Sequence, residues 1–408
     1  ALTLAGEIRE DGGGLSGPRI IRLRLTYDRG NGPPQMVAKF GNWLDKQHMS
    51  AWPWKIRLIQ VIGNMRLEDQ FRSEITFYQG VQPHINGILT PRVYYVGMSD
   101  VANVNAWSYV LWDKRTPLCF CVLMEDLSIG NFMPVRPGEG LSCPRAKQAL
   151  TNIARLHAFG WNQPHLWRQL ELQPTPWLPF LRADEGKQRK YRDNLLHTNV
   201  IPTFLKYWAQ HPRHGDSAQG FAMLRNPQMV DMLTALNASF STWAADAAKT
   251  ARQATQSIVH GDFHGWNHLF NAHDECRVID FQFFGTGRLA DEVAYFFMTS
   301  FDPAPEAEAE LLRCYHHILV EAGVQDYPYD QFSHEYHVST LTLLLGSIVR
   351  GAKFLKPSEY DKMGRDPKQV VLMQVGDLAR DRMMTRALRW YQTPHLRERY
   401  FPIARLDV

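Results

Sequence analysis

The sequence predicts an α+β protein of two lobes, a small β-rich one followed by a large, mostly helical one. Three observations predict it. The chain has 408 residues, more than one core of ordinary size organises, since domains usually hold about 100–200 residues. Alternating apolar residues and turn-forming clusters dominate its first part. From about residue 145 the apolar positions recur at helical spacing instead.

The elements follow in order. Asp11-Gly-Gly-Gly-Leu-Ser-Gly17 reads as a glycine-rich turn between Ile8 and Ile20. Residues 19–27 alternate as a half-buried strand, 28–34 form a hairpin loop, and 35–40 return as a second strand. Residues 64–80 carry Leu67, Phe71, Ile75 and Tyr78 at helical spacing. Further strands are expected at 92–96, 106–112 and 118–124, and helices at 146–159, 188–208, 229–247, 305–322 and 335–354. Two short β-like pieces, 257–260 and 277–279, lie inside the helical part. The joint falls at Met124-Glu125-Asp126-Leu127-Ser128, dividing the chain into a lobe of residues 1–124 and a lobe of residues 125–408. A cleft between two lobes is a common place for a ligand site.

Composition narrows the function. Hydrophobic content of 45% with 21% charged residues is that of a globular protein. The net charge of +4 is spread without a dense Lys/Arg run, which argues against nucleic acid and suits a phosphate-bearing small ligand. No apolar stretch reaches the roughly 18–20 residues of a membrane helix. The N-terminus meets charge too early for a signal peptide. Five cysteines, an odd number with no Cys-x-x-Cys, favour a reducing, cytoplasmic setting.

The chemistry concentrates in His260-Gly261-Asp262-Phe263-His264-Gly265-Trp266-Asn267 and in Ile279-Asp280-Phe281. Phosphoryl transfer needs a carboxylate to orient the attacking hydroxyl and accept its proton, and hard oxygen ligands for Mg²⁺. Asp262 suits the first role. Asn267 and Asp280 suit the second, and a hairpin over 269–279 would bring them together. Alone, Asp262 could cap a helix and Asp280 could end a strand; in this order and spacing they point to a phosphoryl-transfer site. His260, His264 and His268 recur every four residues, as zinc ligands on a helix do, but Gly261, Gly265 and the β-branched pair Ile258-Val259 argue against a helix there. His260 is expected to prop the loop through the backbone, and Asp291 to hold the same region. Trp266, Phe281, Phe283 and Phe284 are candidates either for core or for an acceptor pocket. Gly12, Gly14 and Gly17 satisfy Gly-x-Gly-x-x-Gly. The turn around Gly13 and Gly14 could present backbone N–H groups to phosphate, or could be a plain hairpin turn. Its place before the 35–40 strand favours phosphate.

His-Gly-Asp-x-x-x-x-Asn followed by Ile-Asp-Phe resembles the aminoglycoside phosphotransferase and choline kinase group, and most closely its ecdysteroid-kinase-like branch. Flanking runs agree. Val37-Ala-Lys39 resembles the branch's nucleotide-binding lysine strand, Phe71-Arg-Ser-Glu74-Ile-Thr-Phe-Tyr78 its glutamate helix, Leu123-Met-Glu-Asp-Leu127 its hinge and Ala154-Arg-Leu-His157 its first helix of the second lobe. The likeness covers residues 5–355. It implies a bilobal protein-kinase-like fold, ATP, Mg²⁺ and a small hydroxylated acceptor. It further implies that Lys39 contacts the α- and β-phosphates and is held by Glu74. Met124 would pack behind the adenine, with the Glu125 carbonyl and Leu127 N–H at its edge. Two other functions compete. A protein kinase is disfavoured because Gly261 replaces the usual arginine before the base and Gln282 replaces the glycine of Asp-Phe-Gly. A non-catalytic binding protein is disfavoured because the lysine, base and metal positions are all present.

Overall fold

The computed structural model describes residues 2–3, 9–11, 19–27, 32–42, 67–85, 87–98, 119–175, 200–209, 227–236, 238, 255–354, 356, 358 and 367–401. Strands come first: β1 (Leu2–Thr3), β2 (Arg9–Asp11), β3 (Arg19–Arg24), β4 (Thr26–Tyr27) and β5 (Gln35–Asn42). Helix α1 (Leu67–Thr76) follows, continued by a π-helical turn over Phe77–Val81, and then β6 (Val93–Met98) and β7 (Cys119–Glu125). Five of these strands form one antiparallel sheet in the order β2-β3-β5-β7-β6. Its register sets Lys39 opposite Ile20 on one side and Val122 on the other, in the sheet's centre. Helix α1 lies against this sheet, with Phe71 stacked on Phe120 at 4.5 Å.

Beyond β7 the chain makes a 3₁₀ turn (Leu127–Gly130), in which the Asp126 carboxylate accepts from the Ser128 N–H at 3.0 Å. The short strand β8 (Met133–Pro134) comes next, and helices then dominate. They are α2 (Cys143–Gly160), α3 (Pro164–Gln169), α4 (Val200–Ala209), α5 (227–236), α6 (Leu289–Ser300), α7 (Pro305–Glu321), α8 (Tyr329–Phe354), α9 (Pro367–Gln392) and α10 (Pro394–Tyr400). Proline stands in the first turn of α2, α3, α7 and α10, where its missing N–H costs nothing. The α+β class is therefore as predicted: a sheet with one helix, then a mainly helical part. Between α5 and α6 run β9 (Ser257–Val259), β10 (His268–Phe270), β11 (Cys276–Val278) and β12 (Gly285–Gly287). One buried apolar cluster extends from Phe71, Phe120 and Met124 of the sheet region to Phe297, Tyr336 and Trp390 of the helices.

Sequence and structure differ in places. The strand expected at 106–112 and the turn around Gly13 and Gly14 lie outside the described residues. Helix α9 is not predicted by the sequence pattern. Its arginines point inward, which hides the polar–apolar period. Arg382 donates to Asp302 (2.7 Å) and to the Thr299 carbonyl (2.6 Å). Arg386 is fully buried and donates to Glu308 (2.6 Å) and the Phe301 carbonyl (2.7 Å). These cations meet carbonyls at the C-terminal end of α6, where a helix dipole favours positive charge.

Candidate active site

The catalytic-loop sequence folds between two small ribbons. On one side β9 pairs with β12, Val259 opposite Gly285. On the other, β10 and β11 form the anticipated hairpin, with Leu269 opposite Arg277, and β8 adds to it. Asn267 and Asp280 immediately flank this hairpin, and the Ile279 N–H donates to the Asn267 carbonyl at 3.0 Å. The loop's tight course requires glycine at 261. Its φ is +85°, and a Cβ there would sit 2.1 Å from the Phe283 carbonyl oxygen. Asp280 also holds a positive φ, +69°, a conformation that costs most residues more than it costs Asp or Asn.

Three charged side chains from separate elements meet. Lys39 Nζ of β5 donates to both carboxylate oxygens of Glu74 on α1, at 3.0 and 2.8 Å, and to Asp280 Oδ1 at 2.6 Å. Burial pushes the Lys39 ammonium towards losing its proton, but the charges of Asp280 and then Glu74 outweigh that and hold its pKa above the usual range. Burial is likewise the largest influence on both carboxyls. It prevails at Glu74, which is pushed up to about 6. At Asp280 the Lys39 ammonium prevails and holds the carboxyl below its usual range. Beside this cluster Phe281 stacks on Phe77 at 3.4 Å between ring centres, packing the residue after Asp280 onto the turn that follows α1.

Asp262 is buried, at 7% exposure. The Tyr295 hydroxyl donates to its Oδ1 at 3.1 Å, and His264 Nε2 lies 3.3 Å from its Oδ2. Its carbonyl accepts from Asn267 Nδ2 at 2.9 Å, which orients the Asn267 amide and leaves Oδ1 as its remaining oxygen. His260 props the loop as expected. Its Nδ1 accepts the Asp262 N–H at 3.2 Å, so the ring hydrogen sits on Nε2 and goes to the Ile279 carbonyl at 3.0 Å. Burial lowers its pKa, which suits this neutral form. His268 donates to the His264 carbonyl at 2.7 Å, and burial drives its pKa down to about 3.

The expectation for Asp291 is corrected. Asp291 pairs with Arg288 and accepts from Ser339. The next residue, Glu292, holds the 260–267 loop instead: Oε1 accepts the Gly261 N–H at 2.6 Å and Oε2 the His260 N–H at 3.0 Å. Oε2 also meets His157 Nε2 at 2.9 Å, and His157 Nδ1 meets the Tyr315 hydroxyl at 2.5 Å. Acidic residues in a first helical turn usually read as partners of the helix dipole, which is why sequence alone does not single Glu292 out.

At the hinge, Met124 is buried and stands opposite Val37 in the register, while the Glu125 N–H donates to the Arg92 carbonyl at 2.8 Å. Leu127 is buried in the 3₁₀ turn. Phe281, Phe283 and Phe284 are buried in the core, and Trp266 is half-buried against His264 at 4.5 Å.

The model of the ecdysteroid kinase-like family matches residues 62–325, well over half of the chain. The chain belongs to the ecdysteroid kinase-like family. The matched span of this family member holds Glu74, the hinge, the catalytic loop, Asp280 and Glu292; Lys39 precedes it. No curated protein sequence matches the chain. Among solved structures it is similar to a choline kinase from Streptococcus pneumoniae (11% identity, 94% of each chain covered, TM-score 0.43). It is also similar to a macrolide 2'-phosphotransferase from Brachybacterium faecium (12%, 88% of this chain and 92% of that one, TM-score 0.42). A Plasmodium vivax ethanolamine kinase is a third (13%, 91% and 82%, TM-score 0.38). Among the described residues no helix is long and apolar enough to cross a membrane.

Proposed function

We propose that this chain is a small-molecule kinase that transfers the terminal phosphoryl group of ATP to a hydroxyl of a small metabolite, with Mg²⁺. The observation that carries the reading is the convergence of Lys39, Glu74 and Asp280 from three elements, with Asn267 at the other end of the hairpin that delivers Asp280. Family membership and the meeting of the sheet, helix α1 and the β10–β11 hairpin at this cluster support it. Residues 1–124 would be the nucleotide-binding lobe, and 125–408 would carry the catalytic loop and acceptor site, in a cytoplasmic protein.

The side chains fit the chemistry. Asn267 Oδ1 and the Asp280 carboxylate are hard oxygen donors of the kind Mg²⁺ selects, and would hold it. When bound, the metal would neutralise charge on the phosphates. Lys39, held by Glu74, would steady the α- and β-phosphates. Backbone groups of Glu125 and Leu127 would meet the adenine edge in front of Met124, with the turn around Gly13 and Gly14 at the phosphates. Asp262 would orient the acceptor hydroxyl in line and take its proton. Little else falls to the protein, because this reaction is driven by positioning and charge.

The test is ATP turnover across a panel of hydroxylated metabolites, wild type against Asp262→Ala. Turnover should vanish in the variant while ATP binding persists. Equal turnover in both would show that Asp262 neither orients the hydroxyl nor takes its proton.

A further inference from the structure

The Asp262 carboxylate is gripped from two sides by residues that hold neither nucleotide nor metal. Tyr295 reaches it from α6, donating to Oδ1 at 3.1 Å. His264 reaches it from the same loop, Nε2 standing 3.3 Å from Oδ2. We infer that His264 and Tyr295 are positioning residues that fix the rotation of the Asp262 carboxylate and so aim its remaining lone pairs at the acceptor hydroxyl. The inference rests on the proposed role of Asp262 as the acceptor of that hydroxyl's proton.

The geometry supports it in three ways. A carboxylate offers about four lone-pair sites, and left alone it rotates freely about its last bond. The Tyr295 hydrogen bond on Oδ1 and the His264 ring standing against Oδ2 together restrict that rotation and leave the other lone-pair sites for substrate. Second, both donors are themselves immobilised. The His264 N–H donates to the Asp262 carbonyl (2.9 Å) and the His264 carbonyl accepts from the Asn267 N–H (3.0 Å) and from His268 Nδ1 (2.7 Å). Its ring is tilted against Trp266 at 4.5 Å and buried to 8% exposure. Tyr295 lies three residues beyond Glu292, on the same face of α6. One helix face thus holds the loop's backbone amides and its reactive carboxylate together. Third, the tautomer is decided. His264 Nδ1 is buried with no hydrogen-bond partner among the described residues, whereas Nε2 faces a carboxylate oxygen, which only accepts. The ring hydrogen therefore belongs on Nε2.

The experiment uses the intact chain with MgATP alone, water serving as phosphoryl acceptor, and reads kcat and KM separately. Tyr295→Phe lowers kcat about 10- to 100-fold, the scale of one hydrogen bond to a charged group, and His264→Ala, which removes a longer ion-pair contact, about 3- to 10-fold, with KM for ATP within about twofold. His264→Gln, whose amide can donate from a similar place, restores most of the loss. Long-range ¹H–¹⁵N spectra of histidine-labelled protein show the Nε2–H tautomer for His264 in the wild type and lose that preference in Asp262→Ala. Thermal melts confirm that each variant is folded. If His264→Ala and Tyr295→Phe both keep wild-type kcat while Asp262→Ala is inactive, the positioning pair is overturned and the role of Asp262 stands. If Asp262→Ala itself turns over normally, that role falls and the inference with it. An Nδ1–H tautomer in the wild type overturns the inference whatever the turnover.

Discussion

Replacing Glu292 by Gln alters one heavy atom and should loosen the whole loop from His260 to Asn267. The Glu292 carboxylate, 3% exposed, accepts three donors: the Gly261 N–H (2.6 Å), the His260 N–H (3.0 Å) and His157 Nε2 (2.9 Å). Glutamine turns one of the two oxygens into an NH₂ group. Whichever way that amide is turned, an N–H donor of the loop or of His157 meets another donor. A hydrogen bond to a charged group contributes about 1.5–3 kcal/mol, and a buried donor left unmade costs about 1–3 kcal/mol. Together they set the expected loss at about 2.5–6 kcal/mol, in line with the cost of breaking a buried charged pair. Guanidinium unfolding followed by far-UV circular dichroism measures it. Asp291→Asn is the control. It weakens the Arg288 and Ser339 contacts but leaves the amides of His260 and Gly261 bound, so ATP turnover per folded molecule survives in it and falls in Glu292→Gln. A Glu292→Gln protein within about 1 kcal/mol of wild type, with unchanged turnover, would refute the conclusion that this carboxylate holds the loop.

Three further outcomes are expected. Gly261→Ala places a Cβ 2.1 Å from the Phe283 carbonyl at a φ of +85°; the left-handed conformation alone costs about 1–2 kcal/mol, so unfolding free energy drops by more than that, and turnover drops with it. Lys39→Met leaves the buried Glu74 and the half-buried Asp280 without their cation, costing about 3–5 kcal/mol at pH 8. Because burial already places the Glu74 carboxyl at about 6, protonation relieves the variant, and its deficit shrinks when unfolding is repeated near pH 5. His337 is half-buried, donates to the Ser333 carbonyl at 2.6 Å, and titrates at about 4 because its packed surroundings disfavour the charged form. The unfolded state binds that proton from about pH 6.5 downward while the folded state does not, so this residue lowers stability by about 1.4 kcal/mol per pH unit between those values. The acid slope of His337→Asn is smaller than wild type by that amount.

Much of this protein is legible without coordinates. Local pattern decides local structure: the alternation at residues 19–27, the periodic helix around Phe71 and the β-branched residues before His260 each contain enough to predict their element. Motif spacing carries further, since the 269–279 segment has the length to return Asp280 to Asn267, and the hairpin does so. Other features lie beyond that reach. That Lys39 contacts Asp280 as well as Glu74 depends on how the sheet meets a hairpin 241 residues later in the chain. Glu292 is hard to tell from its neighbour Asp291 because two adjacent acids on a helix differ only in the direction each faces, and packing decides that direction. Helix α9 escapes because its arginines face carboxylates and helix-end carbonyls inside the protein, and burial of paired charge leaves no trace in a polar–apolar count. The grip of His264 and Tyr295 on Asp262 joins a loop to a helix face. By itself the sequence determined the α+β class and which residue types could perform phosphoryl transfer, because both depend on spacing along the chain. The tertiary structure alone decided which carboxylate props the loop, which lysine contacts are made and which side chains face Asp262, because hydrogen bonds act over about 3 Å in space and the chain's own order does not measure that distance.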